Sequence, residues 1–429
     1  MNAFKPKSVI TYLRRHPVIL FVLVHTVLFL AISAGLDNIV GDNTYQYDFA
    51  TQILSGRWPY LDLASEYPPL ALISFLPPAF ISSQITMYGF LFAVQLFLYD
   101  VVILWVLGKL SRHLKLNIWY VLGAYTLCLI SLGVMVTGRF DLLPAMLSMV
   151  AIYSFIRGKN ITAWAFLALG VSVKIYPVAI VPLFALYLLR QGQIRRLVSG
   201  VAVFGIVVLV INLPFYLISP RGFMDFVSYQ TERGLHAESV YGSVLLLGKI
   251  TSLIKVNASL TFGSWNLISP LADTLAKLSF LVTGLSLTLA YWSYSRILWK
   301  KILPVPDNKV LDEEGTLLML RFSLLVILIM LITSKVLSPQ YLIWFYPLVP
   351  LVFMRRLKTA WWLVLIAGVL SQYIYPYHYL PFEAVVPYLV ILLFVRNLIL
   401  TGLMVALFFQ PRIESFEEPR CLPTFKQLS

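Results

Sequence analysis

The chain has 429 residues, 59% of them hydrophobic and only 12% charged, with a mean hydropathy of +0.83. A soluble domain carries about 25% charged residues, so this composition excludes one and makes the bilayer the natural solvent. The net charge is +14, and the two cysteines, Cys128 in an apolar run and Cys421 in the C-terminal tail, exclude a disulfide framework or a cysteine-based zinc site.

A membrane span needs about 20 apolar residues. Apolar runs between charged punctuation predict spans at 17–35, 88–108, 117–136, 140–156, 161–173, 175–189, 197–217, 275–295, 316–334, 340–354, 359–374 and 384–409. The expected fold is an all-α integral membrane protein of about twelve transmembrane helices, a single domain over 1–410 followed by a polar tail at 411–429. The first run is too long for a cleavable signal and no small-residue cleavage pattern follows it. Only Lys174 and Pro177 separate the two halves of 161–189, so that region reads either as two helices or as one long kinked one.

Alternate loops decide the orientation. One set is the N-terminus, 109–115, 157–159, 190–196, 296–315, 355–358 and the tail, with 22 of the 33 Lys and Arg and 7 of the 19 acids. The other set is 36–87, 137–141, the surroundings of Lys174, 218–274, 334–340 and 375–383, with 8 basic and 11 acidic residues. Cytoplasmic loops collect Lys and Arg, so both termini are expected inside. The positive charge is then a topology signal and not a nucleic-acid footprint.

The polar chemistry concentrates in the second set. The 36–87 loop holds five carboxylates, Asp37, Asp42, Asp48, Asp62 and Glu66, against one Arg57. Residues 43–55 predict a helix along the membrane surface with Tyr45, Phe49 and Ile53 on one stripe, ended by Gly56 and Pro59. Asp42 falls at its N-cap. Capping and general-base chemistry are compatible, because cap hydrogen bonds and the helix dipole keep a carboxylate ionised. Asp48 lies on another face and reads either as a solvated charge or as a sugar ligand. In SEYPPL the prolines stiffen the backbone, and Glu66 and Tyr67 either serve that geometry alone or line the mouth of a cavity.

Further along, GRFDLLP places Arg139 and Asp141 where they can pair with each other, or where Arg139 can hold a phosphate oxygen and Asp141 a hydroxyl. Lys174 in VKIYP is a lone cation in a long apolar stretch, either an interfacial anchor or a phosphate ligand. YQTERGLHAES packs Glu232, Arg233, His236 and Glu238 together. These read as a salt-bridged loop, or as a phosphate ligand in Arg233 and sugar ligands in His236 and Glu238. Arg221, Lys335 and Gln340 carry the same two readings. One histidine here and one at His378 make a poor metal site, and no metal or cofactor is expected.

No Walker loop, GxSxG or GxGxxG occurs. With internal loops of about 20 residues at most on the basic side, the chain has no room for a nucleotide-binding domain, so a group transfer must use a donor already in the membrane. A lipid or oligosaccharide flippase is the alternative. It would place charged residues at mid-membrane in two matching halves; Asp100 and Arg396 are mid-span but do not recur in a repeat.

The ordered set Asp–x13–Gly–x2–Pro–Tyr (Asp42, Gly56, Pro59, Tyr60), YPPL, GRFDLLP, VKIYP, YQTERGLHAES and SPQYLIW resembles glycosyltransferase family 87 over about residues 36–350. That family contains polyprenyl-phosphate-mannose-dependent mannosyltransferases of the GT-C superfamily. The resemblance implies a GT-C bundle in the cell membrane, an extracytoplasmic active site with its acid at Asp42, inversion at the anomeric centre, no required metal, a polyprenyl-phosphate sugar as donor and a glycolipid or glycan as acceptor. In this chain Arg139-Phe140-Asp141 replaces a motif with Gln before the aspartate.

Overall fold

The structure, a computed structural model, describes residues 12–34, 42–301, 310–356, 360–379 and 385–409. The tail at 411–429 lies outside the described residues, as does Asp37.

The chain is mostly helical. In order, α1 is Pro17–Ala34, α2 Asp42–Leu54, α3 Pro69–Ser74, α4 Leu76–Ile81, α5 Ile85–His113, α6 Ile118–Leu132, α7 Met135–Gly138, α8 Leu142–Ile156 and α9 Asn160–Val173. After a 3₁₀ turn at Tyr176–Ile180 come α10 Val181–Arg190, α11 Ile194–Ile218, α12 Pro220–Glu232, α13 Val240–Ile250, α14 Pro270–Lys301 and α15 Glu313–Ile332. A second 3₁₀ turn, Pro339–Trp344, leads to α16 Val349–Arg356, α17 Ala360–Gln372 and α18 Pro387–Phe409. Six of these, α1, α5, α11, α14, α15 and α18, are long and apolar enough to cross a bilayer.

A helix that is apolar all round is either central or lipid-facing, and both cases occur. Along α15 nearly every residue is buried, whereas in α11 only Gly200 is; α15 is the axis of the bundle and α11 its rim. Arg321 of α15 is held by donating to the Leu407 carbonyl in the last turn of α18, at 3.1 and 2.7 Å, where a cation meets the negative end of a helix dipole.

Each expected span coincides with helix, with informative departures. The run at 340–354 is not continuous: Pro347 removes a backbone donor, so the 3₁₀ turn and α16 divide it. The 117–136 run stops at Gly133, whose φ of +51 only glycine adopts at low cost, and where a Cβ would lie 1.9 Å from Gln372 Nε2. The 161–189 stretch is two elements folded back on each other. Gly170 packs against Pro177, at 3.3 Å for an added Cβ, and Trp164 meets Phe184 at 5.9 Å. Lys174 is the tip of this hairpin, in extended conformation.

The all-α expectation misses one feature. Inside 218–274, β1 Leu235–His236, β2 Asn257–Thr261 and β3 Ser264–Ile268 form an antiparallel sheet of order β1-β3-β2. Its hairpin turns at Phe262 and Gly263, both with positive φ, the two-residue geometry that matches strand twist. Leu235, Leu245, Leu246 and Leu267 pack with Leu389, Val390 and Leu393 of α18 as a second, smaller core.

A polar network ties α1 to the bundle. His25 and Phe29 are its only buried residues. His25 Nδ1 lies 2.5 Å from Asp100 Oδ2 on α5, and the Tyr125 hydroxyl of α6 donates to Asp100 Oδ1 at 2.7 Å. The Thr126 hydroxyl donates to Leu122 O, so its oxygen accepts from His25 Nε2 at 2.8 Å. The mid-span Asp100 is therefore fully partnered. Breaking one side of a buried pair costs about 3–5 kcal/mol, so His25→Leu is expected to lower the melting temperature of detergent-purified protein clearly. His25→Leu combined with Asp100→Leu is expected to recover most of that loss. An unchanged melting temperature in the single variant would show that the network contributes no stability.

Candidate active site

The upper end of the bundle, the one that carries α2, gathers the chemistry. Asp42 opens α2; its side chain lies outside the described residues. Three residues on, Tyr45 meets Tyr67 edge-on at 5.8 Å. The buried face of α2 is Gln46, Phe49 and Ala50, and Asp48 is on the exposed face. Gly56, with φ +95, ends the helix. The loop then turns through Tyr60, whose hydroxyl donates to Tyr67 O at 2.5 Å. Pro68 and Pro69 start α3. Tyr67 is thus presented from a stiff segment, edge-on to Phe140 at 5.1 Å. Burial, with Glu66, Tyr45, Tyr341 and Asp141 all close enough to add to it, pushes its phenol far up; it stays a neutral hydrogen-bonding group.

Arg139 and Asp141 do not pair with each other. Arg139 adopts extended backbone between α7 and α8 and donates to the Tyr375 hydroxyl at 3.1 Å. Asp141, 1% exposed, receives Lys174 Nζ and Trp344 Nε1 on one oxygen, Oδ1, both at 2.6 Å. Its other oxygen, Oδ2, is buried and accepts no hydrogen bond among the described residues. Trp344 is sandwiched between Tyr176 at 4.2 Å and Tyr341 at 4.1 Å. Lys174 Nζ lies 4.7–5.1 Å from the rings of Phe140, Tyr341 and Trp344. Two turns from different parts of the chain, the α9–α10 tip and the second 3₁₀ turn, thus clamp one carboxylate and leave half of it free to take a hydroxyl proton donor.

The segment after α12 supplies the cations. Arg233 is buried and donates to Ser264 Oγ at 2.7 Å, while its Nε has no partner among the described residues. Lys335 donates to the carbonyls of Thr231, at 2.7 Å, and Arg233. Burial, then Arg233, brings the Lys335 ammonium down to about 8. Burial, with Arg233 next, takes His236 down to about 3, so its ring is neutral at pH 7. Its Nδ1 donates to Leu337 O at 3.1 Å, which leaves Nε2 as an acceptor. Burial holds Glu238 up at about 7, against the pull of Arg396 and Arg139. Gln340 is buried in the second 3₁₀ turn, and Arg221 is exposed on α12.

Glu66 joins the two groups. Its carbonyl accepts from Gln230 at 3.1 Å. Its carboxylate meets the Tyr229 phenol, which Arg233 also approaches. The upper end therefore brings together Glu66, Tyr67, Asp141 and Lys174 on one side and Arg233, Lys335, His236 and Glu238 on the other, with Arg139 reaching toward Glu238. Asp48 and Arg221 stay on outer faces. Reading by residue type passed over Tyr45, Tyr229, Ser264, Tyr341, Trp344 and Tyr375. The signal for Tyr341 and Trp344 was their place in SPQYLIW.

The loop has little room to adjust. A Cβ on Gly242 would lie 2.3 Å from His236 O and 2.6 Å from Ala237 O. Gly242→Ala is expected to displace His236 and Glu238 and to lower activity about tenfold or more, because misplacement of about 1 Å can cost a hundredfold. Unchanged activity in that variant would detach this loop from function.

Residues 66–306, more than half of the chain, match the family model for glycosyltransferase family 87. The chain belongs to glycosyltransferase family 87. Comparison with curated proteins gives no match. Membership of family 87 implies glycosyltransferase activity, here in a frame of apolar membrane helices. The family 87 match contains Glu66, Tyr67, Arg139, Asp141, Lys174, Arg221, Arg233, His236 and Glu238; Asp42, Asp48, Lys335 and Gln340 lie outside it. Among the described residues no three His, Cys, Asp or Glu converge as a metal-binding group.

Proposed function

We propose that this family 87 member is an inverting glycosyltransferase that moves a sugar, mannose first among the candidates, from a polyprenyl-phosphate donor to a hydroxyl of a lipid- or glycan-linked acceptor. The proposal includes a GT-C bundle of about twelve spans in the cell membrane, both termini cytoplasmic, and an active site on the extracytoplasmic side. The observation that carries it is the meeting, at one end of a membrane bundle, of the buried carboxylates Asp141 and Glu238 and the half-buried Glu66, which suit sugar hydroxyls, with the buried cations Arg233 and Lys335, which suit a phosphate.

In the proposed reaction the acceptor oxygen attacks C1 as the bond from C1 to the phosphate oxygen breaks. Asp42 takes the hydroxyl proton. The lipid phosphate leaves with the bonding electrons, and Arg233, Lys335, Lys174 and Arg139 are the cations assigned to that charge; Arg221, on an outer face of α12, is not among them. Lys174 already spends one hydrogen bond on Asp141, and Lys335 two on the carbonyls of Thr231 and Arg233. Asp141 Oδ2, Tyr67, Glu66, His236 Nε2, Glu238 and Gln340 are assigned to sugar and acceptor hydroxyls; Asp48, on the exposed face of α2, is not. A single displacement inverts the centre. No metal or cofactor has a part in the proposal, so transfer is expected to survive a chelator.

Purified protein incubated with radiolabelled polyprenyl-phosphate-mannose and a membrane lipid extract tests the reading. A new labelled glycolipid is expected. Label that crosses vesicle membranes with no new product would favour a flippase and overturn the proposal.

A further inference from the structure

We propose that Arg396 and Asn397, adjacent residues deep in α18, are positioning residues that hold the Arg233–Glu238 segment in the active site. This rests on the glycosyl-transfer reading for its kinetic consequences, though not for its structural one.

Arg396 is the tenth residue of α18, about 13 Å along the helix at 1.5 Å per residue. It is fully buried, and Asn397 is 1% exposed. Their buried neighbours on α18, Leu389, Val390, Leu393 and Leu400, are apolar. Arg396 Nη2 donates to Glu238 O at 2.7 Å, and Nε donates to Asn397 Oδ1 at 3.1 Å. Asn397 Nδ2 donates to Glu238 O at 3.2 Å and Ser239 O at 3.1 Å. Arg396 Nη1 stands 3.6 Å from Glu238 Oε2. The guanidinium thus touches both the backbone and the carboxylate of one residue, and Asn397 braces it.

The loop is held from the other side as well. His236 N donates to Lys335 O at 3.0 Å, and Ala237 N donates to Trp265 O at 2.9 Å. The sheet and the Lys335 turn therefore take the amides of the segment, and α18 takes its carbonyls. Between them these contacts set the spacing of Glu238 from Arg233 and aim the Glu238 carboxylate between Arg396 and Arg139.

An ionisable residue deep in a membrane helix is costly, and a buried ion pair can be replaced by apolar residues with little loss of stability, or a gain. Packing alone would be served by leucine at 396. What leucine cannot do is grip the Glu238 carbonyl and orient its carboxylate. The α18 pair is also not a transport site of the mid-membrane kind, because its contacts are spent on a loop.

The test uses full-length protein in detergent with Arg396→Met, Arg396→Lys, Asn397→Leu and Glu238→Gln. Hydrogen–deuterium exchange over 234–240 reads the loop without reference to activity. Faster exchange of the His236 and Ser239 amides is expected in Arg396→Met and Asn397→Leu. Exchange equal to wild type in both folded variants overturns the inference, whether or not the protein transfers sugar.

Kinetics then ask whether positioning matters to the reaction. The charged groups facing Glu238 are Arg396 from α18 and Arg139 from the stretch before α8. Glu238 is ionised above about pH 7, so a rate that needs the carboxylate falls on the acid side of that value. Removing Arg396 removes a positive charge and moves this limb to higher pH. Arg396→Met is expected to shift the limb upward and to lower kcat/KM about ten- to a hundredfold. Arg396→Lys is expected to recover the limb but only part of the rate, and Glu238→Gln to abolish the limb. A uniform loss at every pH, with the limb unmoved, would mean that Arg396 only supports the fold.

Discussion

Asp42→Asn is expected to lower sugar transfer at least about a hundredfold, with protein level and melting temperature unchanged. General-base assistance is worth about 10²–10⁴ in rate, and the amide of asparagine cannot take the proton of an attacking hydroxyl. The substitution separates the two readings of this position. Asn is as good a residue as Asp at a helix N-terminus, so a purely capping role for the residue that opens α2 survives the change. A chemical role does not. Asp42 lies outside the residues matched to family 87, so the rate of this variant is an independent check on the first loop. Near-normal turnover would remove Asp42 from the reaction and direct attention to Asp141, whose Oδ2 accepts no hydrogen bond among the described residues.

The second large effect is expected at Lys174. Lys174→Met leaves the Asp141 carboxylate, 1% exposed, with Trp344 as its only donor among the described residues. Removing one partner from a buried pair costs about 3–5 kcal/mol. Lys174 keeps slight contact with solvent, its side chain 14% exposed, which favours the lower part of that range. Thermal unfolding in detergent should show a clear drop for Lys174→Met. Lys174→Met combined with Asp141→Leu should regain most of the stability, because no charge is then stranded, and still transfer no sugar. If the double variant were active, the pair would be structural only.

Apolar runs were enough to find the long apolar helices, because a bilayer demands length and hydrophobicity of each span, but α3, α4, α12 and α13 lie in stretches read as loops. Such runs were not enough to find where helices break. Pro347 and Gly133 interrupt runs that hydropathy reads as continuous. The sheet at 235–268 escaped because its strands are short and lie in a polar loop, and because its turn, Phe262-Gly263, puts Phe at positive φ where Asn, Asp or Gly is the usual signal. At the site, residue type located the Asp141, Lys174, Arg233, His236, Glu238 and Lys335 set along the chain, but not who meets whom. Arg139 and Asp141, two residues apart, face different partners, and Asp141 and Lys174, far apart in the chain, share a hydrogen bond. Those pairings follow from how turns of separate helix pairs converge. Arg396 stood out as a charge within a span, and only the folded loop shows what it holds.

The most direct measurement is photo-cross-linking with a polyprenyl-phosphate analogue that carries a photoreactive group beside its phosphate, mapped by mass spectrometry. Adducts are expected at the upper end of the bundle, on Tyr67, Tyr229, Tyr341 and the 231–238 segment, and are expected to be competed away by unlabelled donor. Competable adducts confined to the opposite end, near Lys115 and Trp299, would contradict the account.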